Sequence, residues 1–512
     1  MPKTIRIIAS ILFILTLLPA VAIQPKREFR GIWIATVNNL DWPSKPGLQE
    51  EKQQEELITI LNTLEALHFN AVIFQIRPAG DAFYQSQTEP WSYWLTGQQG
   101  KSTAGNWDPL KFMIDECHKK GMELHAWMNP FRLSQNLTTE FSTNSIAKRH
   151  PEWVITYGNK FYLDPGIPEV RNYLNGVVSE VVRKYDVDAI HFDDYFYPYP
   201  IAGQPFPDSE SFKMYNWGYS NDQIEGWRRN NVDAIIESLS KTIKAIKPKV
   251  KFGISPFGVW QNYDEVKVPD GSSTKAGTTN YDNLYADVIK WQQRGWIDYL
   301  IPQLYWEIGH EKVDYITLAN WWSERSFSRH MYIGHALYKL VDGQTPAWKN
   351  SEELPEQIMI ARRMKNIEGS AYFRMRYLDS NPLGFKDRLG NDIYSEFALL
   401  PLMDWIDGDP PQYPKKIKVK KRSGHITLQN KFDKKLMKSD DHLGYMIYTS
   451  PSKEVVNTAN HRDLITFSTD DSIDLTSKLK LNKGTYYLWL TTIDKLHNES
   501  QPVGPRKLKI KR

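Results

Sequence analysis

The 512-residue sequence has a single cysteine, Cys117. One thiol cannot form an intrachain disulfide, and it cannot supply the several thiolates of a Cys-based zinc site. Cys117 falls in the helical pattern Lys111–Lys120, where a small buried hydrophobe is its simplest role. The sequence therefore excludes disulfide-stapled folds and cysteine-based zinc modules.

Long apolar runs are also scarce, because mean hydropathy is −0.53 and the only such run is at the N-terminus. This excludes a multi-span membrane protein. Met1–Ala22 has a basic start, an apolar stretch from Ile7 to Leu18, and the small-residue pattern Ala20-Val21-Ala22. These features predict a signal peptide over 1–22, cleaved near Ala22, and hence a periplasmic or secreted protein with no remaining membrane span. An uncleaved anchor is the alternative.

Glycine-rich phosphate loops are absent, since neither a G-x-G-x-x-G nor a P-loop pattern occurs. What is present from Arg27 to Ile406 is an alternation of eight short apolar runs with eight amphipathic helical patterns, the last helix over Ile393–Ile406. Alternating strands and helices predict a parallel sheet with helices outside it. Eight such units, without a phosphate loop, favour a (β/α)₈ TIM barrel over an open doubly wound sheet.

A second unit follows the barrel. Residues 407–412 form a breaker-rich linker, and 413–512 contain short strand-like runs separated by polar turns. This predicts a small all-β sandwich, and the order GTYYLWLTTID then ESQPVGP resembles the closing strands of a fibronectin type III domain. Residues 413–512 carry a net charge of +11 and the rest of the chain −7. The basic surface either favours anionic polymers or is an ordinary solvated face.

The predicted loops after the barrel strands are long and aromatic. They lie on the C-terminal face, where barrel enzymes keep their active sites. Trp94 and Trp153 are among these rings. We expect them to line a groove for an extended ligand, although such rings also serve simply to pack loops together.

Candidate catalytic carboxylates end two of the predicted strands. In Ala189–Tyr195, strand alternation turns His191 and Asp193 into the barrel, with Asp193 at its mouth and Asp194 one step further. The same parity turns Gln303, Tyr305 and Glu307 inward on the sixth strand. Paired carboxyls in an aromatic pocket suit glycoside hydrolysis, in which one protonates the leaving oxygen and the other supports the reacting carbon. We expect Asp193 and Glu307 to be catalytic, with Asp194 replacing Asp193 if the strand end is misplaced by one residue.

Further polar and aromatic residues share the predicted strand ends, more than a packed core tolerates. They fit hydrogen bonding and stacking to sugars. The expected substrate-binding residues are Arg77, His125, Trp127, Asn129, His191, Tyr195, Tyr197, Ser255, Gln303, Tyr305 and Trp306. His125 and His191 with Asp193 would instead suit zinc, but no H-x-H or H-E-x-x-H motif occurs. We expect no metal and no cofactor.

Six segments then point to one family. They are EFRGIWIATVNNLDWPS (28–44), FQIRPAGDAFY (74–84), HAWMNPFR (125–132), HFDDYFYP (191–198), GISPFGVW (253–260) and PQLYWEIG (302–309). Together they resemble the bacterial glycosyl-hydrolase-like family 10, an exported family with a (β/α)₈ fold. That family includes an outer-membrane lipoprotein that cleaves peptidoglycan glycan strands stripped of their peptides. This chain differs from that lipoprotein in two ways. No cysteine stands directly after its leader, and it adds the sandwich-like unit.

The resemblance implies a glycosidase that acts on cell-wall glycan or a related bacterial polysaccharide, and no nucleic-acid partner is expected. Two alternatives stay open at this stage. One is a carbohydrate-binding or cell-wall scaffold protein whose barrel has lost catalysis. The other is a metal-dependent polysaccharide deacetylase.

Overall fold

The computed structural model describes residues 24–413, 416–422, 425–431, 441–459, 463–470, 472–476 and 482–510. The predicted signal peptide over 1–22 therefore lies outside the described residues. Within the described ranges, no helix combines the length and the apolarity that crossing a membrane requires.

A parallel sheet dominates residues 24–406. In chain order the strands of this region are β1 (Phe29–Ile34), β2 (Ala71–Arg77), β3 (Glu123–Met128), β4 (Val154–Tyr157), β5 (Lys160–Leu163), β6 (Ala189–Phe192), β7 (Lys251–Ile254), β8 (Tyr299–Leu300), β9 (His330–Met331), β10 (Ile333–His335) and β11 (Gly369–Tyr372). The sheet order is β10-β11-β1-β2-β3-β6-β7-β8-β9. Strands β9 and β10 are two halves of one strand separated by Tyr332, so the sheet closes into an eight-stranded barrel. This confirms the predicted TIM barrel.

Longer helices cover the outside of the barrel, and short helices lie in the loops that connect them to the strands. They are α1 (Glu50–Ala66), α2 (Tyr93–Thr96), α3 (Pro109–Lys119), α4 (Ile146–Arg149), α5 (Pro168–Lys184), α6 (Ser209–Met214), α7 (Ile224–Ile246), α8 (Asn280–Asn283), α9 (Val288–Gln293), α10 (Tyr315–Ser323), α11 (Lys339–Asp342), α12 (Glu353–Arg363), α13 (Met375–Asp379) and α14 (Phe385–Arg388). Local sequence sets several of their ends. The Asp108 side chain accepts a hydrogen bond from Lys111 N, and Pro109 is the first helical residue of α3.

Strand alternation divides side chains between the two faces of the barrel wall. On β6, Ile190 and Phe192 belong to the layer between sheet and helices, whereas His191 points inside. The interior is crowded: a Cβ at Gly253 would lie 1.9 Å from the Tyr299 ring. Glycine at this position therefore makes room for a large ring in the barrel core.

The helix predicted over Ile393–Ile406 is wrong. This segment is irregular, and it runs beneath the N-terminal ends of the strands. Leu399 pairs with the segment before β1, since Leu399 N donates to Lys26 O and Glu28 N donates to Leu399 O. Leu400 and Met403 belong to the apolar cluster inside the barrel. The apolar residues that suggested a helix instead close the bottom of the barrel.

The C-terminal unit consists of two antiparallel sheets. Its strands are β12 (Lys416–Arg422), β13 (His425–Lys431), β14 (His442–Ser450), β15 (Leu464–Ser468), β16 (Ser472–Asp474), β17 (Gly484–Asp494) and β18 (Val503–Ile510). They are ordered β12-β13-β16 and β15-β14-β17-β18. Both sheets contribute to one apolar core that includes Ile417, Leu428, Ile447 and Leu488. This confirms the predicted sandwich and fits its fibronectin type III-like interpretation, whereas the domain limits at 27–406 and 413–512 stay predictions.

The sandwich docks against the bottom of the barrel. On β14, Ile447 points into the sandwich core, while Met446 and Tyr448 point outward and pack with Leu399 of the barrel. Charged pairs surround this apolar contact: Lys495 with Asp186 at 2.5 Å, and Lys249 with Asp441 at 2.8 Å. The sandwich thus occupies the face opposite to the strand ends that carry the candidate catalytic residues.

Candidate active site

A cavity of about 480 Å³ opens at the C-terminal ends of the barrel strands. It is lined by Trp33, Ala35, Val37, Leu40, Gln75, Trp127, Arg132, Asp193, Asp194, Tyr195, Tyr199, Ser255, Gln303, Tyr305, Tyr338, Phe373, Arg374 and Tyr377. We call this the catalytic cavity. Seven predicted site residues line it: Trp127, Asp193, Asp194, Tyr195, Ser255, Gln303 and Tyr305. Its size and its mixture of aromatic and polar walls are those of a small-ligand site.

Three N–H groups hold the Asp193 carboxyl group in the lining of the catalytic cavity. Trp127 Nε1 donates to Oδ2 at 3.1 Å, and Asn129 Nδ2 and Tyr195 N donate to Oδ1 at 3.4 and 3.3 Å. Burial raises the pKa of Asp193, while the Arg132 guanidinium and these donors oppose the shift. The arrangement fixes the carboxyl group and offers hydrogen bonds that favour its charged form. Asn129 itself positions Asp193 and does not line the cavity.

Asp194 has a contrasting environment. It is 3% exposed, and burial together with the neighbouring charge of Asp193 raises its pKa to about 7. The Tyr199 hydroxyl donates to Asp194 Oδ2, which partly offsets the shift. Of two adjacent carboxyls, Asp194 is therefore the one that carries a proton near neutral pH. Different environments on two carboxyls are the arrangement that acid–base chemistry needs.

Arg132 is a cavity residue that sequence reasoning missed. Its Nε donates to Pro78 O at 3.1 Å, and its guanidinium lies over the Tyr195 ring, 5.4 Å from the centroid. Within the described ranges Arg132 has no carboxylate within ion-pair distance, although it is only 8% exposed. The residue follows Pro130 in a loop, where strand alternation makes no prediction. Its presence gives the cavity one cation without an ion-pair partner.

The predicted residues His125 and His191 lie deeper inside the barrel. Both Nδ1 atoms approach the Tyr299 hydroxyl, at 2.7 and 3.0 Å. His191 Nε2 lies 2.9 Å from Ser255 Oγ, and His125 Nε2 lies 2.9 Å from Glu123. Burial lowers the pKa of His191 well below its usual range. These side chains support the cavity floor through Ser255, and their ring nitrogens are engaged with protein groups.

The Glu307 side chain does not line the catalytic cavity. Its Oε2 accepts a hydrogen bond from Trp348 Nε1 at 2.8 Å, and the side chain is buried. Regular pairing ends at Leu300 and the chain bends at Trp306, so the inward parity of Gln303 and Tyr305 does not extend to residue 307. The structure therefore does not bring Glu307 into the catalytic cavity beside Asp193, and the two aspartates that share the cavity are Asp193 and Asp194.

Three predicted substrate-binding residues also lie elsewhere. Arg77 is buried and its guanidinium is occupied by Glu89 and by Asn129 O and Pro130 O. Tyr197 packs against Phe206 and Tyr285, and the Trp306 ring packs edge-on against Phe257. None of the three lines the catalytic cavity. Their side chains support the loops around it.

The groove residues Trp94 and Trp153 have different surroundings. Trp94 lines a second cavity on the same face of the barrel. Trp153 stacks on His150, with ring centroids 3.9 Å apart, and also contacts Tyr173 of helix α5. Trp153 thus packs a loop against a helix.

Comparison with known proteins identifies the family of this chain. The profile of the family described as glycosyl hydrolase-like 10 matches residues 28–350. A glycosyl hydrolase of Bacillus subtilis (strain 168), YngK, is 45% identical over 483 residues, covering 93% of each chain. Another glycosyl hydrolase, DigH of Escherichia coli (strain K12), is 39% identical over 385 residues, covering 70% of this chain and 86% of its own. Because the YngK match covers 93% of this chain, it extends beyond the barrel into the sandwich.

Among solved structures, the PgaB (BpsB) glycoside hydrolase domain from Bordetella bronchiseptica superposes with a TM-score of 0.48 at 11% identity, covering 71% of this chain and 98% of that one. The family assignment does not depend on this weak likeness. It follows from the profile match over more than half of the chain and from the identity to two full-length relatives. The chain belongs to the glycosyl hydrolase-like 10 family and is a glycoside hydrolase.

Proposed function

We propose that the catalytic cavity hydrolyses glycosidic bonds with Asp194 as the general acid and Asp193 as its charged partner. The observation that carries this proposal is the adjacent pair itself: two carboxyls at one strand end, of which only Asp194 has its pKa raised to about 7. A glycosidase needs one protonated and one ionised carboxyl at the same pH. Burial and mutual repulsion supply that difference here.

The proposed reaction assigns a proton and a charge to these two groups. Asp194 donates its proton to the glycosidic oxygen as the bond from that oxygen to the anomeric carbon breaks. Asp193 stabilises the positive charge that develops on the sugar ring. A water molecule then bonds through its oxygen to the anomeric carbon, and the proton that it releases returns to Asp194. The three N–H donors to Asp193 hold its carboxylate in place, so little reorganisation is needed as charge develops.

For the substrate, we propose the glycan strands of peptidoglycan after removal of their peptides. Two observations support this choice. The six segments quoted above resemble a family with a member that acts on such strands, and the cavity contains Arg132 without an ion-pair partner. Removal of the peptide exposes a lactyl carboxylate on every second sugar, and a planar guanidinium is well suited to bind a carboxylate. Aromatic walls from Trp33, Trp127 and Tyr195 suit the apolar faces of sugar rings.

Export is part of the proposal, because such a substrate lies outside the cytoplasm. The basic start, the short apolar stretch and the Ala20-Val21-Ala22 sequence support cleavage after Ala22. Mass spectrometry of the protein purified from its natural host tests this. A mature N-terminus at Ile23 is expected, and an intact Met1 contradicts export by this route.

The direct test of the function is a substrate panel. Purified protein is incubated with amidase-treated peptidoglycan, intact peptidoglycan, chitin oligosaccharides and a neutral glucan, and the products are identified by mass spectrometry. We expect new reducing ends from the amidase-treated material and much slower release from intact peptidoglycan. Cleavage of the glucan alone would refute the proposed substrate, and absence of cleavage with every glycan would refute the proposed activity.

A further inference from the structure

Beside the catalytic cavity lies a second one of about 480 Å³, which we call the side cavity. Its lining includes Asn38, Asp81, Tyr93, Trp94, Gln135 and Glu140. These residues come from the loops after β1, β2 and β3. All three loops lie at the C-terminal ends of the strands, on the face that carries Asp193 and Asp194.

The two cavities are adjacent. Val37 lines the catalytic cavity and Asn38 the side cavity, and the consecutive residues Arg132 and Leu133 divide in the same way. Two separate loops thus line both cavities and pass between them. A polymer that occupies the catalytic cavity and extends across this boundary would enter the side cavity.

The lining of the side cavity suits a sugar. Tyr93, Trp94 and Phe141 present aromatic surface, and Tyr93 is 50% exposed. Between these rings stand amides and hydroxyls. Within the described part of the chain, the side-chain amides of Asn38 and Gln135 make no hydrogen bond to protein groups. Aromatic surface combined with free amides offers stacking and hydrogen bonds to a pyranose ring.

The charged residues of this cavity are both acidic, Asp81 and Glu140. Asp81 is 2% exposed, burial raises its pKa to about 7, and its Oδ1 has no hydrogen-bond partner among the described residues. A buried carboxyl group with an unsatisfied oxygen is costly unless a ligand or water completes its hydrogen bonds. Acidic walls also repel a sugar that carries a carboxylate. The catalytic cavity, which contains Arg132, instead favours a sugar that carries a carboxylate.

We propose that the side cavity is a binding subsite for an uncharged sugar unit, next to the unit that is cleaved. This rests on the proposed function, which it refines: the enzyme would place a carboxylate-bearing sugar against Arg132 and a neutral one against Trp94 and Gln135. Alternation of charged and neutral units along the chain would then fix where the strand is cut. Binding energy from this subsite would favour chains over short substrates.

Binding measured by calorimetry tests the subsite independently of catalysis. The probe is chitohexaose, a chain of uncharged N-acetylated sugars, and the protein is the Asp194→Asn variant, so that turnover during the measurement is slow. Gln135→Ala and Trp94→Ala are introduced separately. Gln87→Ala is the matched control, because Gln87 is an exposed glutamine that lies outside the cavity, in the loop after β2 that also carries Trp94. We expect Kd to rise about 10- to 100-fold in the two cavity variants and to stay unchanged in the control.

The outcomes separate the two proposals. Unchanged binding in both cavity variants, or no binding of chitohexaose by the parent, overturns the subsite. An equal loss in the Gln87→Ala control also overturns it, since the effect would then not be local. Failure of the wild-type protein to cleave any glycan overturns the proposed function, whatever the binding result. Since Trp94 also packs against the barrel, Gln135→Ala provides the variant whose fold is least at risk.

Discussion

Replacement of Asp194 by asparagine should lower kcat by an amount that depends on the leaving group of the substrate. The pKa of Asp194 is raised from 3.8 to about 7. About three pKa units correspond to about 4 kcal/mol in favour of the protonated carboxyl. At pH 7 a carboxyl with a pKa of about 7 is half protonated, whereas an ordinary aspartate carries a proton about once in 1,600 molecules. The site therefore increases the acid form by nearly three orders of magnitude.

An asparagine keeps the shape of Asp194 but has no acidic proton to give. With a polysaccharide, whose leaving alkoxide must be protonated, we expect kcat to fall about 10²- to 10⁴-fold. With a dinitrophenyl glycoside, whose leaving group needs no proton, we expect a loss within about tenfold. The assay is steady-state kinetics on both substrates. Glu307→Gln is the matched control, since it amidates a buried carboxyl on the same face outside the cavity.

The pH dependence of kcat/KM is a second test of Asp194 as the general acid. A general acid must be protonated, so wild-type kcat/KM should fall as pH rises through about 7. On the polysaccharide, whose leaving group must be protonated, the residual activity of the Asp194→Asn variant should lack this alkaline limb. Equal losses on the two substrates, or an alkaline limb that persists in the variant, would refute the assignment of Asp194 as the acid.

Four further expectations follow from particular contacts. Tyr199→Phe removes a hydrogen bond that favours ionised Asp194, so the alkaline limb should move to higher pH; a shift to lower pH contradicts the proposed contact. Glu307→Gln should keep kcat within about threefold, because the substitution only replaces the charged acceptor of the Trp348 indole N–H by a neutral one. Abolished turnover would instead show that Glu307 is a catalytic residue. Glu123→Gln breaks a buried pair with Lys251 and should lower the free energy of unfolding by about 3–5 kcal/mol, measured by urea denaturation, and an unchanged midpoint would refute this. Leu399→Ala opens a cavity where the sandwich docks and should cost about 2–5 kcal/mol by the same measurement, whereas a neutral effect would mean that the docking is not tight.

The architecture was predictable because the barrel repeats one local pattern. Alternation of apolar runs and amphipathic segments predicts strands and helices independently of loop details. It also placed His191 on the inner face of β6 and Asp193 at the mouth of the barrel, directly after that strand, where the structure has them.

Irregular backbone accounts for what was missed. Glu307 lies beyond a bend, so counting residues from Gln303 assigned it the wrong direction. Arg132 lies in a loop after Pro130, where no period relates sequence to orientation. Leu399 and its neighbours have helix-like apolar spacing, yet they close the barrel bottom and meet the sandwich, a tertiary role that local pattern does not reveal.

Cleavage of peptide-free glycan strands in ¹⁸O-labelled water tests the central claim most directly. Hydrolysis with Asp194 as the acid predicts that wild-type protein releases products with one heavy oxygen at each new reducing end, and that Asp194→Asn releases them at least about 100-fold more slowly. Products without the label, or labelled products formed by Asp194→Asn at the wild-type rate, would contradict the account.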